Sequence, residues 1–381
     1  MCWCLPVIVG FLIVGLLYLV CFVSQWLHGW PDKPGYKKYI EALNPRRIYR
    51  LTFTMLDLLK YFKYLRLYFQ IKSWYKNEEN SKHFKKGIVY GRRGNKLDLY
   101  YPPKMKRFRD ELPPLVVFIY GGAWSTGDRS IYCLLARQMV EELNAAVVCP
   151  NYSNYPKGNV LMMIQDVADC LVWAQENGQK FSFVADCLVW AQENGQKFSF
   201  DKDNIVLVGH SAGAHLGAMA TLFLLDTREE LLIDSKQQQE IIRSLRGVIG
   251  LSGVYSIMDH YEHEKMRGIE YISCMSRAMN GEENFPRYSP AHVVKSLNGD
   301  KLSRAPRFVL LHSESDIVVP VESSTKFYML LSSLSAKVSL HLLPVVSHTD
   351  IVIDLMLSSR RFYHPISECI KLEFRKLLFF R

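Results

Sequence analysis

Ser211 sits in Gly209-His210-Ser211-Ala212-Gly213, after the apolar run "NIVLVG" and before an alanine-rich apolar run. A serine hydroxyl is a weak nucleophile until a base takes its proton, and the base works best when an acid fixes its tautomer. Between a strand and a helix, a G-x-S-x-G pentapeptide turns the chain sharply and lifts the serine oxygen clear of the sheet. Two later stretches offer the acid and the base. "FVLLHSESDIVVP" places Asp316 just past a buried-type strand, and "VSLHLLPVVSHTD" places His348 just past the next. Ser, Asp, His is the chain order of triads carried on the strand ends of a parallel sheet. Asp316 is expected to orient the imidazole. His348 is expected to take the serine proton and hand it to the leaving alcohol.

Acyl transfer also needs donors aimed at the oxyanion of the tetrahedral intermediate. "VVFIYGGAWSTGD" ends a strand in Tyr120-Gly121-Gly122-Ala123-Trp124. The backbone N–H groups of Gly122 and Ala123 are the expected donors there, with the N–H of Ala212, next after the nucleophile, as the third.

These residues need a scaffold that brings strand ends together. "LVVFIY", "AAVVCP", "NIVLVG", "GVIGLSG" and "RFVLLHS" are short buried-type strands separated by helical stretches. That alternation predicts a mostly parallel sheet with helices on both faces, and a site at the carboxyl ends of the strands. "GIVYG" and "KLDLYYP" alternate and end in turn signals, which predicts an antiparallel hairpin. The Met-, Tyr- and His-rich stretch 257–294 falls between two strands and reads as a cap over the pocket. His260 and His263 in "DHYEHEK" are two metal-type side chains without a companion cluster, so a polar cap helix is expected and no metal.

The chain opens on "MCWCLPVIVGFLIVGLLYLVCFVSQWLHGW", with no charge before Asp32. The run is long enough to cross a bilayer, with Trp26 and Trp30 at the interface position. A cleaved signal peptide would start basic, carry a shorter apolar core and end in small residues. An anchor is therefore expected over 1–30. Lys33, Lys37, Lys38, Arg46, Arg47 and Arg50 follow, which places the main domain in the cytosol by the positive-inside rule. "LTFTMLDLLKYFKYLRLYFQI" (51–71) reads as a helix that covers the core, or lies on lipid with a basic edge formed by Lys60, Lys63 and Arg66. Residues 31–85 form a basic aromatic juxtamembrane segment on this reading, and 86–381 the main domain. The net charge of +10 lies largely before residue 110, and no long basic block dominates. That favours an anionic lipid surface over nucleic acid. The nine cysteines show no C-x-x-C pair and no disulfide framework. Asn151-Tyr152-Ser153 is a glycosylation triplet that follows an apolar strand.

"VADCLVWAQENGQKFSF" occurs twice, at 167–183 and 184–200. A solenoid needs several stacked, diverged units. Two identical copies read as a tandem insertion in the helix before the nucleophile strand, with one copy packed through Val167, Leu171 and Ala174.

Taken together, "GGAW", "GHSAGAH", "GLSGVYSIMDHYEHEKMRGI", "MNGEENFPRYSP", "HSESDIVVPVESSTKF" and "SHTD" resemble the α/β-hydrolase fold. The branch is that of hormone-sensitive-lipase-like carboxylesterases, and within it the isoprenylcysteine methylesterases. The resemblance runs from about residue 90 to 355. It implies a membrane-associated serine esterase without a cofactor that acts on the methyl ester of a C-terminal prenylated cysteine. Ser211, Asp316, His348, Gly122 and Ala123 then take the roles described above, at an endoplasmic reticulum or Golgi membrane. Tyr120 departs from the pattern, since lipase-like relatives often carry histidine there. Two alternatives remain open: a broader lipid or aryl carboxylesterase or formamidase-like amidase on the same triad, and a catalytically silent membrane-bound binding protein.

Overall fold

A computed structural model describes residues 4–28, 36–102, 112–178 and 200–379. Its centre is an eight-stranded sheet in the order β1-β2-β4-β3-β5-β6-β7-β8. The strands are β1 (Phe84–Tyr90), β2 (Asn95–Tyr100), β3 (Pro114–Ile119), β4 (Ala146–Pro150), β5 (Asp201–His210), β6 (Leu245–Leu251), β7 (Arg307–Ser313) and β8 (Val338–Leu343). The expected hairpin is β1 and β2, joined by a turn whose Gly91 and Gly94 both have positive φ. β2 pairs antiparallel with β4, and every later pairing is parallel. The parallel strands from β3 to β7 are mostly buried runs rich in valine, leucine and isoleucine, as strands covered on both faces must be, while the edge strand β8 is only half-buried.

The helices of ten or more residues are α1 (Cys4–His28), α2 (Pro45–Leu58), α3 (Leu65–Lys76), α4 (Cys133–Leu143), α5 (Val160–Asn177), α6 (Ala212–Leu225), α7 (Ser235–Ser244), α8 (Ile257–Arg267), α9 (Glu322–Ser333) and α10 (Tyr363–Phe379). Two glycines of β6 show how closely helices lie on each face. A Cβ at Gly247 would sit 2.5 Å from Leu377 of α10, and one at Gly250 would meet Tyr255 Oη and, at 3.5 Å, Ala214 of α6. Residues an odd number apart on a strand point to opposite faces, so α10 and α6 cover opposite faces.

α5 carries the first copy of the duplicated unit. It starts at the N-cap Asn159 and stops before Gly178, and Val167, Leu171 and Ala174 are all buried. The second copy lies outside the described residues except for its last residue. That residue, Phe200, is buried with its ring 6.1 Å from Trp173.

α1 is apolar, with a mean hydropathy of 2.8 over Val7–Gln25. It is long and apolar enough to cross a membrane, a property that a signal sequence shares. The stretch 51–71 differs from a single helix: α2 ends at Leu58, a 3₁₀ helix covers Leu59–Tyr64, and α3 begins at Leu65. The spacing of Lys60, Lys63 and Arg66 by threes suits the 3₁₀ period as well as an α-helical face.

Candidate active site

Ser211 stands between β5 and α6 at φ 55° and ψ −122°. A non-glycine residue holds that backbone only when its surroundings impose it. Here they do. A Cβ at Gly209 would lie 2.6 Å from the backbone of Ala214, and one at Gly213 would lie 2.1 Å from the carbonyl oxygen of Ile119. Both glycines let strand and helix come close enough to force the turn. Ser211 N–H donates to Leu251 O at 2.9 Å, which ties the turn to β6. Ala212 opens α6, so its N–H has no partner within the helix.

The loop after β3 lies against this turn. A Cβ at Gly121 would sit 2.9 Å from Ser211 Cβ. Gly122, Ala123 and Trp124 follow with φ of 146°, 49° and 59°. Among the described residues, the N–H groups of Gly122 and Ala123 have no hydrogen-bond partner. Tyr120 is buried, its ring stacked on Tyr132 and Tyr152.

Asp316 and His348 come together past β7 and β8. His348 Nδ1 donates to Asp316 Oδ2 at 2.7 Å. Asp316 Oδ1 accepts the N–H groups of Val318 at 2.9 Å and Val319 at 3.0 Å. Burial works to raise the Asp316 carboxyl, yet the charges and hydrogen bonds of His348 and His312 hold it well below the usual carboxylate range. An ionised Asp316 fixes Nδ1 as the protonated nitrogen and leaves Nε2 free to accept. Ser211 Oγ and His348 make no hydrogen bond here, a contact that often closes only with substrate bound. Since β5, β6, β7 and β8 are neighbours in the sheet, Ser211, Asp316 and His348 share one rim.

Four buried histidines surround this rim; His210, His312 and His215 carried no expected role, and His260 was expected only on a polar cap helix. His210 Nε2 donates to the carbonyl of His348 at 2.9 Å, and burial pushes its pKa down to about 3. His312 Nε2 donates to Val319 O at 2.9 Å and lies 3.4 Å from Asp316 Oδ2. His215 accepts the indole N–H of Trp124 and is pushed down to about 4 by burial. His260, on α8, faces Trp124 with ring centroids 6.3 Å apart. Its Nδ1 is buried without a partner, and burial lowers its pKa to about 3. One turn on, Glu264 is pushed up to about 8 by burial and accepts Ser273 Oγ at 2.8 Å. Among the described residues, no group of three or more His, Cys, Asp or Glu is arranged to hold a metal ion.

The Asn151 side chain is committed inside the fold. It donates to Asp128 Oδ2 at 2.8 Å and accepts Arg129 N–H at 2.7 Å, so its amide is not free to carry a glycan.

A sheet of this order, with a strained serine turn after β5 and an Asp–His pair past β7 and β8, defines an α/β hydrolase. Residues 116–349 match the model of the alpha/beta hydrolase fold, and the chain belongs to that family. Two proteins of Arabidopsis thaliana are similar to it. The isoprenylcysteine alpha-carbonyl methylesterase is 34% identical over 273 residues, covering 71% of this chain and 58% of that protein. A probable isoprenylcysteine alpha-carbonyl methylesterase is 34% identical over 276 residues, with the same 71% and 58% coverage. The chain thus spans less than two thirds of the length of these relatives. Among solved structures, an inhibited esterase B from Lactobacillus rhamnosis matches with a TM-score of 0.61 at 19% identity. That match covers 85% of this chain and 97% of the other, and at such identity it shows the fold alone.

Proposed function

We propose that the protein is a membrane-held serine esterase that hydrolyses the methyl ester of a C-terminal prenylated cysteine. The observation that carries the reading is the 2.7 Å pair of His348 and Asp316, placed on the same rim as the strained Ser211 turn. His348 Nε2 takes the Ser211 proton as Oγ bonds to the ester carbonyl carbon. The oxyanion that forms accepts the N–H groups of Gly122, Ala123 and Ala212. As the C–O bond to the leaving group breaks, the imidazolium gives its proton to that oxygen, and methanol departs. Water then attacks the acyl-serine, His348 taking its proton and returning it to Oγ.

The substrate class rests on the named relatives and on the chain's apolar character. Residues 1–30 are read as the anchor, 31–85 as the basic aromatic juxtamembrane segment, and about 257–294 as a cap. The basic residues after α1 favour a cytosolic catalytic domain. A silent binding protein would have no need to keep Ser211, Asp316 and His348 together.

The test is labelling by a fluorophosphonate probe, then release of methanol from a prenylcysteine methyl ester compared with a short-chain aryl ester. Labelling lost in Ser211→Ala, with preference for the prenylated ester, is the expected result. Labelling at another serine ends the triad assignment. Preference for aryl esters ends the substrate assignment.

A further inference from the structure

Residues 45–76 are apolar on two faces. Ile48, Leu51, Tyr64, Leu67 and Ile71 are buried against the protein. Tyr49, Phe53 and Leu56 form one outward stripe at helical spacing, and Phe62, Leu65 and Phe69 form another; all six are exposed, Phe62 at 70%. A helix with two apolar faces has one for the protein and one for a second apolar medium. Arg46, Arg50, Lys60, Lys63, Arg66 and Lys72 are exposed along the same segment, as anionic headgroups require. The medium is set by continuity with α1. Gln25, near its end, donates to Ala42 O at 3.1 Å and accepts Arg47 Nε at 3.2 Å.

The segment also grips both walls of the site. Arg47 pairs with Glu270 at 2.9 Å and lies 3.8 Å above the Tyr271 ring, just past α8. Further along, Thr349 Oγ1 donates to Tyr61 Oη at 3.1 Å. Tyr64 Oη donates to Asp350 Oδ1, and Lys63 Nζ lies 3.3 Å from Oδ2. In 3₁₀ geometry residues three apart eclipse, so the turn presents Tyr61 and Tyr64 together. Asp350 in turn accepts Ser347 Oγ at 2.6 Å. His348 is held between those two residues.

We propose that residues 45–76 are a strap seated in an anionic bilayer surface, and that seating it orders loop 347–350, so that turnover at Ser211 depends on the membrane. The proposal rests on the esterase reading for its reacting pair and adds the regulation of that site. The strap, Tyr64 and Asp350 act through His348 and are positioning residues.

The test uses the full chain in detergent, in phosphatidylcholine nanodiscs, and in nanodiscs with added phosphatidylserine. A water-soluble aryl ester reports the machinery without a prenyl group. Phosphatidylserine should raise kcat about ten- to a hundredfold, since a misplacement of about 1 Å in a reacting group can cost about a hundredfold. Phe62→Ser with Phe69→Ser should keep the detergent rate and lose that rise. Tyr64→Phe should lose the rise with KM unchanged. Hydrogen exchange of residues 345–352 in Ser211→Ala carries the test independently of any substrate, and should slow when phosphatidylserine is added. Equal exchange in all three media overturns the strap, as does a Tyr64→Phe enzyme that keeps the rise. Absent hydrolysis with slowed exchange overturns the esterase reading and leaves the strap standing. A strap that responds to an added protein and not to lipid overturns the choice of partner.

Discussion

The indole N–H of Trp124 donates to His215 Nδ1 at 3.1 Å, and His215 Nε2 donates to Tyr288 O at 2.7 Å. This relay ties the loop after β3 to α6 and to the chain between β6 and β7. It acts on three consecutive residues with positive φ, a backbone that costs about 1–3 kcal/mol at each non-glycine position. The relay therefore offsets strain in the backbone that carries the Gly122 and Ala123 N–H groups, the proposed oxyanion donors. Trp124→Phe keeps the ring and removes the donor. We expect kcat on an aryl ester to fall about ten- to a hundredfold with KM nearly unchanged, because oxyanion contacts act in the transition state. A raised KM at constant kcat would instead place Trp124 in substrate binding.

Asp316 has neighbours that could be mistaken for it. Glu314 is exposed, while Asp350 is engaged by Ser347, Tyr64 and Lys63. On the proposed triad, Asp316→Asn should lower kcat by about four orders of magnitude, as loss of a tautomer-fixing carboxylate does in characterised triads. Glu314→Gln should leave it unchanged. Steady-state kinetics with a matched circular dichroism spectrum checks both variants, and near-normal turnover in Asp316→Asn would move the acid elsewhere.

Stability should peak near pH 6.5. Burial lowers His210 and His260 to about 3 and His215 to about 4, against about 6.5 in the unfolded chain. Below pH 6.5 the unfolded chain therefore binds protons at three rings that the folded chain keeps neutral. Glu264 works the other way. Burial raises it to about 8, so below pH 8 the folded carboxyl keeps a proton that the unfolded one lacks until about 4.5. Glu270 is raised in the same sense, again by burial first. Between pH 6.5 and 4.5 unfolding thus takes up about one to two protons, each costing about 1.4 kcal/mol of stability per pH unit of acidification. Between pH 6.5 and 8 the raised glutamates make stability fall as pH rises, and above about 8 the buried thiols of Cys133, Cys149 and Cys170, also raised by burial, extend that fall. Thermal melts from pH 4.5 to 9 should show this maximum, and Glu264→Gln should flatten the alkaline limb. A melting temperature that climbs steadily from pH 6.5 to 8 contradicts it.

The parallel strands were legible because they are short apolar runs with their own turn signals, the hairpin because its two strands alternate, and the positions of Ser211, Asp316 and His348 followed from the strand ends. The histidines that brace them were not legible. His210 and His215 each bond to a backbone carbonyl far along the chain, and His312 to one in the loop that follows its own strand, and no local periodicity encodes which carbonyl that is. The 3₁₀ break at Leu59–Tyr64 was hidden for a related reason. Its partners, Thr349 and Asp350, lie far along the chain, and local periodicity fits either helix type.

Removing the second copy of the duplicated unit should preserve activity and leave the melting temperature unchanged or higher. α5 already fills its place on the sheet with Val167, Leu171 and Ala174 of the first copy. The second copy contributes one described residue, Phe200, which packs on Trp173 and leads directly into Asp201 of β5. Because the copies are identical, deleting 184–200 joins Phe183 to Asp201 and offers the same side chain for that contact. Loop-closure entropy changes only slowly with length, so the shorter connection is tolerated if Phe183 reaches the Phe200 position. The full chain and the deletion variant should be compared for aryl ester hydrolysis, melting temperature and limited proteolysis. Equal activity with equal or higher stability is the expected outcome. A deletion variant that unfolds or loses turnover would make the second copy an integral part of the path from α5 to the Ser211 strand.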